Sequence, residues 1–361
     1  MQNKKFSPEK QTVFDARYQA QKIVFGPVVF QCVRYAWKRG MLEALSQAGN
    51  RGLSVNELAG TGKWTKYVLK VVLESCLSAG VVSLKEGKYV LDKVGYCVLN
   101  DRMTQINFDF MHEVCYQGLF ELEASLDREK PVGLKSLGNW SSVYEGLQEL
   151  PDLVKESWLQ FDHFYSDTSF PDVMPDVFAT GPKRIMDIGA NTGKFSQLAL
   201  AYNDTVEIML VDLPQQLQVA EKNLGEPAWH DRVHLFPVDL LDTDTDFPLG
   251  ADIIWMSQLL SCFGEEMISS ILARAAKALA PGGHILVMDT FWDRQQYDIA
   301  SYCLINTSPY FTAIASGNSK VYESADYIRL CEEAGLGLLT VRDNIGYCHS
   351  LLRFARKEGS G

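Results

Sequence analysis

The chain has 361 residues, enough for about two domains of ordinary size, and its 47% hydrophobic content with only 27 Gly and 13 Pro excludes a disordered or collagen-like polymer. A formal net charge of −11, from 34 Lys and Arg against 45 Asp and Glu, repels phosphate backbones and anionic lipid surfaces, so neither nucleic acid nor membrane is an expected partner. No apolar run reaches the roughly 18 residues of a membrane span, the start MQNKKFSPEK lacks a signal-peptide pattern, and the eight scattered Cys contain no C-x-x-C pair, which together suggest reduced thiols in a cytoplasm.

Apolar residues Val29, Val33, Ala36, Trp37, Met41 and Leu45 recur at helical spacing and predict a helix over 28–45, ended by Gly49 and Gly52. Ser54-Val-Asn-Glu57 has the form of a capping box and opens a short helix that stops at Gly60. A longer helix over 63–79 ends at Gly80, and the runs 81–84 and 88–91, joined by Lys-Glu-Gly, read as a β-hairpin. Three helices and a hairpin are the winged-helix order, whose third helix can enter a DNA groove. Lys63, Lys66 and Lys70 lie there, but Val68, Leu69, Val71, Val72, Leu73 and Leu77 make the helix apolar around most of its circumference, which predicts packing and a dimerisation role over residues 1–103.

Residues 104–178 read as a helical, aromatic-rich connector and lid. Phe161 and Tyr165 there are candidates for the apolar wall of a flat substrate, alongside the plainer reading of interdomain packing. Over 179–361 strands at 184–189, 207–212, 232–236, 251–257 and 284–289 alternate with helices at 195–201, 215–224 and 265–279. A Pro281-Gly-Gly283 turn precedes the fifth strand, and a helix at 324–334 with strands at 337–342 and 350–356 closes the chain. The class is α/β, a doubly wound Rossmann-like sheet behind an α-helical winged-helix domain.

In such sheets ligands bind beyond the carboxyl ends of the strands. The first strand ends in Asp187-Ile-Gly-Ala-Asn-Thr-Gly193, where Gly189 and Gly193 permit a tight turn, but the G-x-G-x-x-G grip on a pyrophosphate is absent. Asp187 inside this loop suits an ammonium group and Asp212, at the second strand end, both hydroxyls of a ribose. A ligand with ribose, ammonium and no phosphate is S-adenosylmethionine. The plainer reading of Asp187 is a helix-capping carboxylate.

From about residue 25 to 357 the sequence resembles the class I methyltransferases of the small-molecule O-methyltransferase group, which carry an N-terminal winged-helix dimerisation domain. The loop 187–193 matches the family's D-x-G-x-G-x-G with Asn191 in place of its middle glycine. Val211-Asp-Leu-Pro214, Val238-Asp-Leu240, Pro281-Gly-Gly283 and Phe161-Asp-His-Phe-Tyr-Ser-Asp167 resemble its other signatures. The resemblance implies that Asp187, Gly189, Asn191 and Gly193 hold the methionine end of the cofactor, Asp212 and Leu213 the ribose, and Asp239 and Leu240 the adenine, with Ser257 and Gln258 as the pocket floor. The plainer reading of Asp239 is a loop acid among Asp242, Asp244 and Asp246. The family's His-Asp-Trp after the fourth strand is replaced by Ser261-Cys-Phe263, and its later glutamate by Val321. A serine is no general base at neutral pH without an activator. Besides Ser261, His112 and His163, in the aromatic segment, are therefore the candidate catalytic residues, although each is read more plainly as an ordinary packed or exposed imidazole. No metal is expected. The resemblance implies a homodimeric enzyme that methylates a hydroxyl of an aromatic or polyene-like small molecule and releases S-adenosylhomocysteine. The alternatives are a cofactor-binding relative running another reaction, a winged-helix DNA-binding regulator and, more distantly, an NAD-dependent dehydrogenase.

Overall fold

Thr12 opens the first helix through a capping box in which its hydroxyl accepts from the Asp15 N–H and the Asp15 carboxylate accepts from the Thr12 N–H. In the computed structural model residues 11–357 are described, so the polar start at 1–10 and the last four residues lie outside the described residues. The chain divides into two compact units, one ending at His112 and one beginning at Glu113.

In the first unit α1 (Val13–Lys38) ends before Gly40, which sits at φ +79°, and α2 (Met41–Ala48) starts directly after it. The single helix expected over 28–45 is thus two, because a left-handed residue cannot continue a right-handed helix. α3 (Val55–Gly60) has the predicted Ser54–Glu57 capping box, and α4 (Lys66–Ser78) is capped by Thr65. The hairpin forms from β1 (Val82–Lys85) and β2 (Lys88–Leu91), followed by α5 (Lys93–Asn100) and α6 (Arg102–Asp109). Leu42, Leu45, Leu58, Leu69 and Leu73 are fully buried at its centre. α4 is packed on one side only, since Tyr67 and Val71 face outward beside Lys66 and Lys70. The N-terminal half of α1 exposes Phe14, Tyr18, Ile23, Val24 and Phe25.

The second unit begins with α7 (Leu122–Arg128), α8 (Val143–Gly146), α9 (Asp152–Ser166) and α10 (Phe170–Val177). Next come β3 (Arg184–Ile188), α11 (Lys194–Tyr202), β4 (Glu207–Asp212), α12 (Pro214–Asn223), β5 (Val233–Pro237), β6 (Ala251–Ser257), α13 (Glu265–Ala278) and β7 (Leu279–Asp289). α14 (Asp298–Tyr310), α15 (Ser324–Glu333), β8 (Leu336–Ile345) and β9 (His349–Arg356) complete it. Pro281-Gly-Gly283 is a bulge within β7, since Ala251 pairs with Leu279 and Ile253 with His284, rather than a turn ahead of the strand. α14 was not legible as a separate helix, because its apolar residues follow no single face.

The seven strands run in the order β5-β4-β3-β6-β7-β9-β8, parallel except for β9 and β8, where the sheet finishes as an antiparallel hairpin. Met186, Ile188, Val211 and Ile254 pack on one face against α13 and α15, and Ile185, Leu210 and Trp255 on the other against α10, α11 and α12. The strand order reverses between β3 and β6, so the crevice at their carboxyl ends is the topological switch point. Among the described residues no helix is long and apolar enough to cross a membrane, and the eight cysteines are free.

Candidate functional site

At the switch point the loop after β3 doubles back on left-handed residues. Gly189 and Gly193 lie at φ +75° and +79°, and Asn191, in place of the family glycine, is itself at φ +50°, a conformation asparagine tolerates better than most side chains. A Cβ on Gly189 would lie 2.6 Å from a Leu259 methyl, so the backbone there runs close against the loop after β6.

Asp212 ends β4 and fixes this loop, since its two oxygens accept the N–H groups of Asn191 at 2.8 Å and Leu213 at 2.7 Å. A carboxylate offers about four acceptor sites, so both oxygens retain capacity for the two hydroxyls of a sugar. Burial raises its pKa and these two amides oppose the shift. Asp187 is buried within β3 and accepts the Ser196 hydroxyl at 2.6 Å, as a side chain tying strand to helix would. Burial drives its pKa up to about 7, with Ser196 opposing and the nearby Asp212 reinforcing the rise.

Across the crevice Gln258 also adopts φ +50°, and its N–H donates to Met288 at 2.9 Å. The Ser257 hydroxyl oxygen and the Gln258 side-chain carbonyl oxygen are buried without a hydrogen-bond partner. Unpaired buried polar atoms cost roughly 1–3 kcal/mol each, and both lie at the strand end where the sheet receives ligands, which fits a polar group bound between them and Asp212. Leu240 is buried beside the same edge, while Asp239 is exposed and accepts the Leu241 N–H at 2.9 Å. Among the described residues no three His, Cys, Asp or Glu side chains converge to hold a metal.

Of the three candidate catalytic residues, Ser261 is buried and taken up by Asp289 at the end of β7, which accepts both its N–H and its hydroxyl. Asp289 also accepts from Thr290 N–H at 2.8 Å and Tyr327 hydroxyl at 2.8 Å, yet burial still holds its pKa at about 6. His163 lies on the outer, open face of α9 beside Leu159 and Gln160. Its Nδ1 is 3.2 Å from Asp167, which also pairs with Lys194 at the start of α11, and that bond raises the imidazole pKa. His112 belongs to the first unit, with Nδ1 3.3 Å from the Gln31 amide nitrogen and its ring stacked on Phe30.

The opposite face of α9 carries Trp158, Phe161, Asp162 and Tyr165 at i, i+3, i+4 and i+7. Phe161 and Tyr165 meet edge to face with centroids 5.2 Å apart, and Phe164 stacks on Tyr347 at 4.8 Å. The Trp158 indole donates to the Tyr310 hydroxyl at 2.7 Å, and Tyr144 hydrogen-bonds Cys262. Sequence reasoning singled out Phe161 and Tyr165 on this face but not Asp162 between them, nor Tyr144 and Tyr310 facing it. The signal available was the 158/162/165 spacing.

Residues 170–337 match the O-methyltransferase domain family and residues 17–89 the Dimerisation2-like domain family. The L-tyrosine C(3)-methyltransferase of Streptomyces lavendulae is 23% identical over 317 residues, 87% of this chain and 85% of its own length. The fold is shared with the S-adenosylmethionine-dependent methyltransferase SibL in its apo form (TM-score 0.69, 22% identity, 94% of this chain and 99% of that one). It is also shared with NcsB1, an O-methyltransferase from neocarzinostatin biosynthesis crystallised with S-adenosylmethionine and 2-hydroxy-5-methyl naphthoic acid (TM-score 0.65, 16% identity, 91% and 96% covered). With both domains matched in order along the chain, the protein belongs to the S-adenosylmethionine-dependent O-methyltransferase family that carries an N-terminal dimerisation domain.

Proposed function

We propose that this chain methylates a hydroxyl of an aromatic small molecule, with S-adenosylmethionine as donor and S-adenosylhomocysteine as product. The observation that carries the reading is the pair of unpartnered buried oxygens on Ser257 and Gln258 at the end of β6, at the same sheet edge as a β4 carboxylate that retains acceptor capacity. Asp212 would take the ribose hydroxyls, with Leu213 beside it. Gly189, Asn191 and Gly193 would line the methionine end, Asp187 would balance its ammonium from beneath, and Asp239 with Leu240 would flank the adenine. When bound, the sulfonium supplies an already activated methyl group, so the protein's share is positioning and handling the acceptor's proton. The aromatic face of α9, with Phe161 and Tyr165, supports a flat acceptor. Two of the similar proteins carry aromatic molecules in their names, tyrosine and a naphthoic acid.

A homodimer is part of the same reading. Phe14, Tyr18 and Phe25, at i, i+4 and i+11 of α1, are exposed on one face and leave an apolar stripe that a second copy would cover. Calorimetry with S-adenosylhomocysteine, followed by mass spectrometry of a phenol and catechol panel incubated with S-adenosylmethionine, tests the function. Binding and a product heavier by one CH2 are expected. Absence of binding would remove the reading, and binding with a product lacking the added CH2 would favour a different reaction on the same site.

A further inference from the structure

Methylating a hydroxyl requires somewhere for its proton to go, and the family's histidine is missing. Ser261, in its place, is committed to Asp289. The Cys262 thiol, held by the Gln258 carbonyl and Tyr144, is pushed up to about 12 by burial and stays protonated at neutral pH. Burial likewise keeps the Tyr144 and Tyr310 phenols protonated, as donors. Asp212 is engaged by two backbone amides, and His163 points to the other side of α9, toward Asp167.

Asp162 remains. One turn before it on α9 Trp158 reaches Tyr310, so the Asp162 position faces the same wall, and its carboxylate lies within electrostatic range of Tyr144, Tyr310 and Cys262. None of the described residues donates a hydrogen bond to that carboxylate. The groups around it are His163 and Asp167 from its own segment, Lys194 from α11, Tyr144 from α8, Cys262 from the loop after β6 and Tyr310 from α14.

Resting on the function proposed above, we infer that Asp162 is the general base, a catalytic residue that takes the acceptor's hydroxyl proton while Trp158, Tyr144 and Tyr310 wall the pocket. The O–H bond breaks, the proton passes to a carboxylate oxygen, and the electron pair left on the acceptor oxygen forms the new C–O bond to the methyl carbon as the donor's C–S bond breaks, its pair staying on sulfur to leave neutral S-adenosylhomocysteine; the carboxylic acid then returns its proton to solvent. Burial raises the Asp162 pKa above the ordinary carboxylate value, with His163 and Lys194 opposing, which brings the base closer to the operating pH.

The probe is 4-nitrocatechol, added to the S-adenosylhomocysteine-loaded protein and followed by the visible absorption of its phenolate. A neighbouring carboxylate disfavours the phenolate, so in Asp162→Asn the bound probe is expected to ionise about one pH unit lower than in the native protein. With S-adenosylmethionine, kcat/KM for unsubstituted catechol, whose hydroxyls are still protonated at neutral pH and so need the base, is expected to fall at least about 100-fold in Asp162→Asn and recover in part in Asp162→Glu. The low-pH limb of the native profile, where the base takes up its proton, disappears in the Asn variant. S-Adenosylhomocysteine affinity stays within about threefold, whereas failure of the proposed function would show as no such binding by the native protein. A native protein that binds S-adenosylhomocysteine but not the probe, or an Asn variant with unchanged probe ionisation, pH limb and turnover, overturns the assignment.

Discussion

Asp212→Asn separates what Asp212 does for the loop from what it does for a ligand. In the native protein one oxygen accepts the Asn191 N–H at 2.8 Å and the other the Leu213 N–H at 2.7 Å. The amide replaces one acceptor oxygen with a donor, so one of these backbone N–H groups loses its partner and the negative charge is gone. Hydrogen bonds to charged groups contribute about 1.5–3 kcal/mol, and an unpaired N–H costs about 1–3 kcal/mol. The free protein should lose about 1–3 kcal/mol, which for a unit of this size lowers the melting temperature by roughly 2–10 °C. One ribose hydroxyl also loses its acceptor, so calorimetry should show S-adenosylhomocysteine binding weaker by a further one to two orders of magnitude. Melting without ligand and titration at a temperature where the variant is fully folded keep the two effects apart. A variant that melts lower but binds within threefold of the native protein would show that Asp212 serves the loop alone and refute the sugar assignment.

Asp187, held at about 7 by burial, should lose a proton when a ligand ammonium approaches. S-Adenosylhomocysteine affinity should therefore rise as pH increases through 7, with proton release detectable as buffer-dependent heat, and a flat profile from pH 6 to 8 would remove Asp187 from the site. The same raised pKa makes the Asp187 contribution to stability fully present below about pH 4 and lost as pH rises through about 7, a decline that Asp187→Asn should flatten in denaturant titrations. Ser261→Ala removes one hydroxyl donor from the buried Asp289 and should cost about 1–2 kcal/mol of stability while S-adenosylhomocysteine binding changes less than threefold. His163→Ala, on the outer face of α9, should keep methyl transfer within about threefold, and a 100-fold loss would restore that imidazole as the base. Phe14→Glu with Phe25→Glu, on one face of α1, should convert a dimer to a monomer in sedimentation, and an unchanged mass would place the interface elsewhere.

The glycine loop and the two strand-end acids were readable because they sit at fixed offsets from strands whose apolar runs are unambiguous, and the hairpin because a Lys-Glu-Gly turn separates two short β-prone runs. Gly40 was harder to read, since a helical apolar spacing carries across it and only its left-handed backbone shows that α1 and α2 are separate. On α9 the sequence marked an aromatic segment but could not orient it. Positions 162 and 163 differ by about 100° around the axis, so which of them meets Tyr310 depends on how Trp158 packs. The Asp289 network joins Ser261, Tyr327 and Thr290 from three separate segments, and no local spacing announces it.

A crystal structure with S-adenosylhomocysteine tests the central claim most directly. The ribose hydroxyls are expected on the Asp212 carboxylate, with new partners for the Ser257 and Gln258 oxygens. A nucleoside bound elsewhere, with those two oxygens still unpartnered, would contradict it.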